Sequence, residues 1–291
     1  MTEDLRPLLF SIAYRMLGSV AEAEDVVQEA YLRRETAGRV ENERAFLTTV
    51  TTRLAIDVLR SARHRREAYV GSWLPEPLVD AEAPALVDSE ETVSLAFLVL
   101  LERLSPVERA VLVLRDAFDL PFSEIAEIVE RSADNCRQIL SRARRRIDDD
   151  RPRFDADPAE RDRLASRFLS AARDGDLSGL VAMLASEAVL VGDGGGRARA
   201  IPRPMHGAAA IARAFVAFLG LSREWGITFV PAHVNGQAGF RALDPDGRVA
   251  GVVSFDVADG QVQRIHSMVN PDKLAHLGPV SDIALRPSSA R

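Results

Sequence analysis

The chain has 291 residues, more than one ordinary domain holds, so two or three folding units are expected. Its 37 basic and 43 acidic residues leave a net charge of −6, which argues against a protein that coats nucleic acid through bulk positive charge. A single cysteine excludes an internal disulfide, and no pattern typical of a signal peptide or a membrane span occurs, so we expect a cytoplasmic protein with no membrane partner.

Charge is distributed unevenly and suggests where domains meet. Residues 73–102 carry a charge of −7 and no basic residue, and a second acidic run occupies positions 148–150. We interpret both stretches as connections between domains. The resulting predicted division is 1–72, a linker at 73–95, 96–150, 158–277 and a tail at 278–291.

The first part of the chain is predicted to be helical. Apolar residues at helical spacing end at Gly18, and Ser19 with Glu22 has the spacing of a capping box that starts a second helix. A third helix is predicted over residues 43–66. Its Arg53, Arg60 and Arg63 fall within an arc of about 80° and form one basic face. A solvated surface is the alternative interpretation of that face.

The next part has the layout of a helix-turn-helix. Ser105, Pro106 and Glu108 have the pattern of a capped helix start, and a short helix at 123–129 is followed by a turn at 130–132 and a helix at 133–147. In that last helix Cys136 lies on the apolar side. The opposite side is polar, as base edges and phosphates require. Its candidate DNA contacts are Arg137, Gln138, Ser141, Arg144 and Arg145. An ordinary amphipathic surface helix is the alternative.

The last part mixes helices with strands. Helices are predicted near 158–173, 177–184 and 208–219, and a short strand at 188–191. Four further strands at 227–234, 237–243, 249–257 and 262–269 are separated by turn signals such as Asn235-Gly236, which predicts an antiparallel meander. Helices on one side of such a sheet make a small α+β domain whose curved sheet can enclose a pocket.

Several of these segments together resemble a known family. The segments 17–18, 23–30, 44–47 and 54–60 are similar to region 2 of extracytoplasmic-function sigma factors, and 104–106, 111–116, 123–127 and 141–144 are similar to region 4. The order of the two regions is that of the family. One position departs from it, because Glu130 stands where the family usually has a glycine, and a left-handed backbone there would be strained.

The resemblance implies partners and roles. The expected partners are promoter DNA and core RNA polymerase, through its β′ clamp helices and β flap. Asp25, Gln28 and Glu29 would bind the clamp helices. Arg137, Gln138, Ser141, Arg144 and Arg145 would contact the −35 element, and Arg53, Arg60 and Arg63 the −10 element.

Three further motifs resemble the group of these sigma factors that carries a C-terminal SnoaL-like domain, of which the SigJ type is an example. The motifs are Trp73-Leu74-Pro75-Glu76-Pro77, Asp193-Gly194-Gly195-Gly196-Arg197 and Asn270-Pro271-Asp272-Lys273-Leu274. The implied fold is multidomain: a region 2 helical bundle and a region 4 helix-turn-helix, both all-α, followed by an α+β SnoaL-like (nuclear transport factor 2-like) cone domain. That domain is implied to regulate the sigma factor in cis, so no dedicated anti-sigma factor is expected. We predict that residues 73–77 contact residues 193–197.

An enzyme is the competing hypothesis for the last domain, since SnoaL-like domains resemble polyketide cyclases and ketosteroid isomerases. The titratable candidates are Asp193, His206, His233, Asp256 and His266, and no pair has a spacing that identifies a catalytic unit. No motif indicates a metal or cofactor, and the chain as a whole is not expected to be an enzyme. A third hypothesis is that the cone binds an unidentified small ligand that switches the sigma factor. An apolar cavity would favour sensing, a buried perturbed carboxylate catalysis, and a filled cone a structural clamp.

Overall fold

A computed structural model describes residues 5–67, 69–79, 94–147 and 157–285. The chain divides into two compact units: Met1–Ala68 with Pro84–Arg151, and Tyr69–Ala83 with Pro152–Arg291. The helices are α1 (Arg6–Leu17), α2 (Val20–Thr36), α3 (Glu43–Glu67), α4 (Leu95–Leu101), α5 (Pro106–Asp116), α6 (Phe122–Val129), α7 (Ala133–Ile147), α8 (Pro158–Asp174), α9 (Leu177–Met183), α10 (Ala208–Glu224) and α11 (Pro271–Leu274). The strands are β1 (Leu184–Asp193), β2 (Met205–His206), β3 (Thr228–Val234), β4 (Gln237–Leu243), β5 (Val249–Ala258) and β6 (Gln261–Met268).

Helices α1, α2 and α3 pack on one another as the N-terminal bundle of the first unit. Gly18 ends α1 in the left-handed region, and its N–H donates to the Tyr14 carbonyl at 2.7 Å. The Ser19 hydroxyl then accepts from the Glu22 N–H at 3.2 Å and starts α2. The apolar stripes of the three helices meet in a core that includes Leu9 and Leu47. The sequence signals for these helix ends are therefore confirmed.

Helices α5, α6 and α7 form the helix-turn-helix layer of the same unit. Ser105 and Glu108 make the reciprocal capping box that the sequence predicts for α5. The preceding α4 was not predicted from sequence, because its seven residues are all apolar and show no helical period. Helix α5 also packs against α1 and α3. Its Arg109 is buried there, with Nη1 donating to the Met16 carbonyl of α1 at 2.7 Å.

The second unit is built on a six-stranded sheet of order β2-β1-β6-β5-β4-β3. The predicted antiparallel meander of β3, β4, β5 and β6 is confirmed. Strand β1 runs parallel to β6, and its ten residues exceed the short strand expected from sequence. Helices α8, α9 and α10 cover one face of the sheet.

Aromatic rings fill the space between these helices and the sheet. The Phe168 ring of α8 lies 5.1 Å from the centroids of both Phe215 and Phe255, and Phe240 stacks edge-on against Phe255 at the same distance. Phe229 continues the series from β3. Edge-to-face packing of this kind adds to the burial of large apolar rings. The protein's own aromatic side chains thus occupy part of the interior in which a ligand cavity could form, and a pocket of about 210 Å³ remains between α8 and strands β3 and β4.

Candidate functional site

Helix α7 separates into a buried and an exposed side, as its sequence predicts. Cys136, Ile139, Leu140, Ala143 and Ile147 are buried. Burial raises the pKa of the Cys136 thiol, which fits a small core residue and not a reactive thiolate. The five candidate DNA contacts, Arg137, Gln138, Ser141, Arg144 and Arg145, are all exposed.

Two of these arginines are oriented by neighbouring side chains. The Arg137 guanidinium lies 5.2 Å from the centroid of the Phe122 ring. Arg144 donates to the Asp116 carboxylate of α5, with Nη2 to Oδ1 at 2.6 Å. The exposed side of α7 thus presents positioned guanidinium groups beside the exposed amide of Gln138.

The turn between α6 and α7 has the left-handed backbone that is strained at a glutamate. Glu130 ends α6 with φ 56° and ψ 52°, in the left-handed region. The Arg53 guanidinium of α3 donates to two carbonyls of the last turn of α6, Ile128 at 3.0 Å and Glu127 at 2.8 Å. It also lies 3.2 Å from the Glu130 carboxylate. Arg53, a candidate for −10 contacts, is therefore engaged within the first unit.

The other candidates in the N-terminal bundle lie at the surface. Arg60 pairs with Asp57 at 3.0 Å, both largely exposed, and the side chain of Arg63 falls outside the described residues. On α2, Asp25 and Gln28 are exposed, and Glu29 pairs with Arg33 at 2.8 Å.

An apolar side chain that sequence reasoning missed completes this surface of α2. Leu32 is 50% exposed and lies one turn beyond Gln28 and Glu29, on the side that carries Asp25. Its only sequence signal is that it departs from the buried stripe of its own helix.

In the second unit, residues 69–79 are docked on the C-terminal domain. The predicted linker motif at 73–77 is thus part of that compact unit. The centre of the docking site is Asp193, which is fully buried at the end of β1. Its carboxylate accepts hydrogen bonds from the Tyr69 hydroxyl at 2.6 Å, the Leu74 N–H at 2.8 Å and the Gly195 N–H at 3.0 Å.

Lys273 supplies the positive charge for this site. It is the only lysine in the sequence, it is 7% exposed, and its Nζ lies 2.8 Å from Asp193 Oδ2. The same ammonium donates to the Leu74 carbonyl. It also lies 4.3 Å from the Trp73 ring centroid and 4.8 Å from that of Tyr69. Burial and the neighbouring Asp193 carboxylate raise the pKa of the Tyr69 phenol, so it stays a proton donor.

The glycine turn allows the chain to approach closely. Gly195 and Gly196 have φ of 59° and 72°, and a Cβ at Gly195 would collide with the Asn270 amide. That amide donates to the Tyr69 hydroxyl at 2.8 Å. Arg197 pairs with Asp272 at 2.7 Å on the surface. The structure therefore brings the motifs at 73–77, 193–197 and 270–274 together around one buried charge pair.

A second anchor holds the end of the docked segment. The Asn235 side chain accepts from the Leu78 N–H at 2.9 Å, while the Asn235 N–H donates to the Leu78 carbonyl at 2.8 Å. His276 Nε2 contacts the Pro77 carbonyl at 2.8 Å. The sequence identified Asn235 only as a hairpin turn residue, and nothing local indicated these contacts. We call residues 69–79, held at both anchors, the docked segment.

Two of the titratable candidates for an enzyme come together in the sheet. Ser254 pairs with His266, and Asp256 with Arg264, across β5 and β6, so all four lie on the face opposite the aromatic core. Asp256 Oδ2 and His266 Nδ1 are 3.7 Å apart and both side chains are buried. Burial raises the pKa of Asp256 to about 7 and lowers that of His266 to about 3, the Arg264 charge lowering both.

The remaining histidine candidates are at the surface. His233 pairs with Asp162 at 3.0 Å at the mouth of a pocket of about 210 Å³ between α8 and strands β3 and β4. His206 is exposed on β2. Asp256 and His266 do not line that pocket. Among the described residues, no cluster of three or more His, Cys, Asp or Glu side chains is arranged to bind a metal ion.

A three-helix N-terminal bundle, a helix-turn-helix with a basic outer face and a C-terminal cone domain define a sigma-70-type transcription factor. The family model for Sigma-70 region 2 matches residues 1–65, and that for Sigma-70, region 4 matches residues 94–147. Both fold predictions for these segments, and the SnoaL-like cone, are confirmed. In the part of the chain that the structure describes, no helix has the length and apolar character needed to cross a bilayer.

Relatives extend the match over nearly the whole chain. The ECF RNA polymerase sigma factor SigJ of Mycobacterium tuberculosis is 39% identical, over 93% of this chain and 91% of its own length. A probable ECF sigma factor of the same organism, SigI, is 33% identical over 92% of each chain. The crystal structure of the M. tuberculosis SigJ superposes with a TM-score of 0.76 at 35% identity, covering 93% of this chain and 96% of that one. The chain belongs to the extracytoplasmic-function sigma factors. RNA polymerase and promoter DNA are accordingly its partners.

Proposed function

We propose that this sigma factor directs core RNA polymerase to promoters with −35 and −10 elements, and that its SnoaL-like domain regulates it in cis through the docked segment. The observation that carries the first part is the exposed polar side of α7. Arg137, Gln138 and Arg145 project together from the second helix of a helix-turn-helix, the element that enters the major groove. Arginine suits guanine and phosphate, and glutamine suits adenine.

The acidic net charge is compatible with this function. Residues 137–146 carry +5 and residues 53–66 carry +4, so the basic groups are concentrated on the two surfaces assigned to DNA. Two small DNA-reading regions bind weakly on their own, and polymerase supplies the effective concentration that each lacks. The free chain should therefore bind promoters poorly and depend on polymerase.

Gln138→Ala tests the −35 assignment. Loss of one bidentate base contact costs about 1–3 kcal/mol, so transcription from a promoter selected by the parent should fall about tenfold or more, with relaxed preference at one position of the −35 element. Run-off transcription with core polymerase on a library randomised in that element measures both effects. Asn135→Ala is the matched control, because Asn135 is an exposed amide of the same helix about 120° away from the centre of the reading side. Equal effects of the two variants would remove the assignment.

The polymerase-binding surface on α2 gives a second test. Leu32→Ala should weaken binding of the chain to core polymerase about tenfold, because an exposed leucine beside Asp25, Gln28 and Glu29 is placed to be buried by a partner. The stability of the free chain should hardly change. Leu221→Ala, which removes a leucine that is 42% exposed on α10, is the control in a competition assay with labelled chain. Parent-like affinity of Leu32→Ala would exclude Leu32 from the interface.

Regulation in cis is supported by the chemistry of the docked segment. A buried aspartate and a buried lysine lie where the C-terminal domain holds residues that lead from region 2 to region 4. A domain that holds this connection can control region 2 and region 4 without a separate anti-sigma factor. The aromatic rings between helices and sheet favour a structural clamp over a ligand-sensing cavity. The buried Asp256 carboxylate does not line the pocket, which disfavours catalysis there. Asp193→Asn, which removes the carboxylate of the buried charge pair, tests this part through its effect on transcription with core polymerase.

A further inference from the structure

The Arg53 side chain of α3 contacts the C-terminal end of α6. The last carbonyls of an α-helix have no partner within the helix. In α6 the Ala126 carbonyl accepts from the Arg131 N–H at 3.0 Å, and the next two, Glu127 and Ile128, accept from Arg53. A side chain of region 2 therefore caps the first helix of the region 4 helix-turn-helix.

Glu130 adds to the same contact. A left-handed backbone disfavours glutamate relative to glycine by roughly 1 kcal/mol. Its carboxylate lies 3.2 Å from the Arg53 guanidinium, so the residue that strains the turn also pairs with the arginine that caps it. A glycine would relieve the strain and lose the ion pair.

The hydrogen bonds to α6 prevent the same edge of Arg53 from binding DNA. The Nε and Nη2 edge, which a guanidinium needs to bind a phosphate or a guanine bidentately, is occupied by α6. We propose that the contact between Arg53 and Glu130 is a latch. In the free chain it holds Arg53, which is a candidate contact of region 2 for the −10 element, on the turn of region 4. Binding to DNA then requires α3 to separate from α6. The inference rests on the proposed −10 role of Arg53.

Other contacts between region 2 and region 4 are consistent with a free chain in which α3 stays bound to α6. Arg109 of α5 is 2% exposed and donates to the Met16 carbonyl of α1 and the Leu101 carbonyl, while pairing with Glu102 at 2.6 Å. Arg15 of α1 lies 5.3 Å from the centroid of the Phe118 ring. Region 2 and region 4 thus meet through several directional polar contacts, and among these arginines Arg53 is the exposed one, at 45%.

Glu130→Gly tests the latch in the full chain. We expect the free chain to bind a fluorescein-labelled fork DNA with a single-stranded −10 element about two- to fivefold more tightly than the parent, because loss of the exposed ion pair weakens the hold of α6 on Arg53 while glycine suits the turn. With core polymerase present the two should differ less than twofold. Asp119→Gly is the matched control: Asp119 also has a left-handed backbone, φ 48°, and pairs with an arginine, Arg115 at 3.0 Å, but entirely within region 4.

Arg53→Ala separates the latch from the role on which it rests. If it weakens fork-DNA binding by the holoenzyme, and Glu130→Gly strengthens binding by the free chain, the latch is supported. If it weakens holoenzyme binding but Glu130→Gly resembles the parent or the Asp119→Gly control, Arg53 contacts DNA without being latched and the inference is overturned. If Arg53→Ala changes nothing in the holoenzyme, the −10 role itself fails and the latch fails with it.

Discussion

Asp193→Asn is expected to release the docked segment and to destabilise the second unit by about 3–5 kcal/mol. The substitution keeps the shape of the side chain but leaves the ammonium of Lys273, which is 7% exposed, without its carboxylate. It also weakens the acceptor of three further hydrogen bonds, from Tyr69, Leu74 and Gly195. An uncompensated buried charge is among the few single changes with an effect of this size.

Hydrogen exchange of the Leu74 amide measures the release directly, since this N–H donates to Asp193 at 2.8 Å. Asp272→Asn is the control. It removes a carboxylate that also pairs with a basic residue nearby, but Asp272 and Arg197 are both exposed, by 59% and 61%, so an effect within about 1 kcal/mol is expected.

A double variant identifies the cause. Lys273→Met added to Asp193→Asn removes the stranded charge, and part of the lost stability should return. The regulatory proposal has its own readout, transcription with core polymerase. If Asp193→Asn exposes the Leu74 amide yet leaves promoter activity as in the parent, the docked segment is structural and cis regulation through it is wrong.

Most elements of this fold are predictable because their ends carry local signals. Ser105 with Glu108 marks the start of α5, and Asn235-Gly236 marks the β3–β4 hairpin, whatever the rest of the chain does. The parallel pairing of β1 with β6 is different. It joins strands far apart in sequence, and no turn or period records it.

The contacts of the docked segment could also be predicted only in part from the sequence. The motifs at 73–77, 193–197 and 270–274 suggested a contact, but three of its partners lie outside them. Tyr69, Asn235 and His276 make contacts across 124, 157 and 199 residues of sequence. Tyrosine, asparagine and histidine at such positions look like ordinary surface or turn residues until tertiary structure places them. Arg53 is a further case, because the basic face predicted for α3 does not indicate that this arginine donates to backbone carbonyls of α6.

The buried pair Asp256 and His266 should make no net contribution to the pH dependence of stability between about pH 4 and 6.5. Burial raises the pKa of Asp256 from 3.8 to about 7 and lowers that of His266 from 6.5 to about 3. In this pH range the folded pair holds one proton, on the aspartate, and the unfolded pair also holds one, on the histidine. If the two residues share the proton across the 3.7 Å gap, the folded pair still binds one proton. The pH dependence of stability follows from this number, whichever residue carries the proton.

Single variants should reveal the two opposing contributions. His266→Gln removes the contribution of the imidazole, whose pKa folding lowers from 6.5 to about 3, so stability relative to the parent falls as the pH rises from about 3 to 6.5. Asp256→Asn removes the contribution of the carboxyl, whose pKa folding raises from 3.8 to about 7, so relative stability rises from about pH 3.8 to 7. Each slope approaches about 1.4 kcal/mol per pH unit, or about 4 kcal/mol over the range.

The measurement is the difference in unfolding free energy between each variant and the parent, taken by urea titration at a series of pH values. Taking differences removes the other titrating groups, which all three proteins share. The Arg264 charge, across the strands from Asp256, lowers both pKa values and does not change the sign of either slope. Parallel curves for the two variants would mean that folding moves no proton from the histidine to the aspartate. Opposite slopes would instead identify a neutral, buried pair whose unpartnered polar atoms are tolerated in the sheet without a charge.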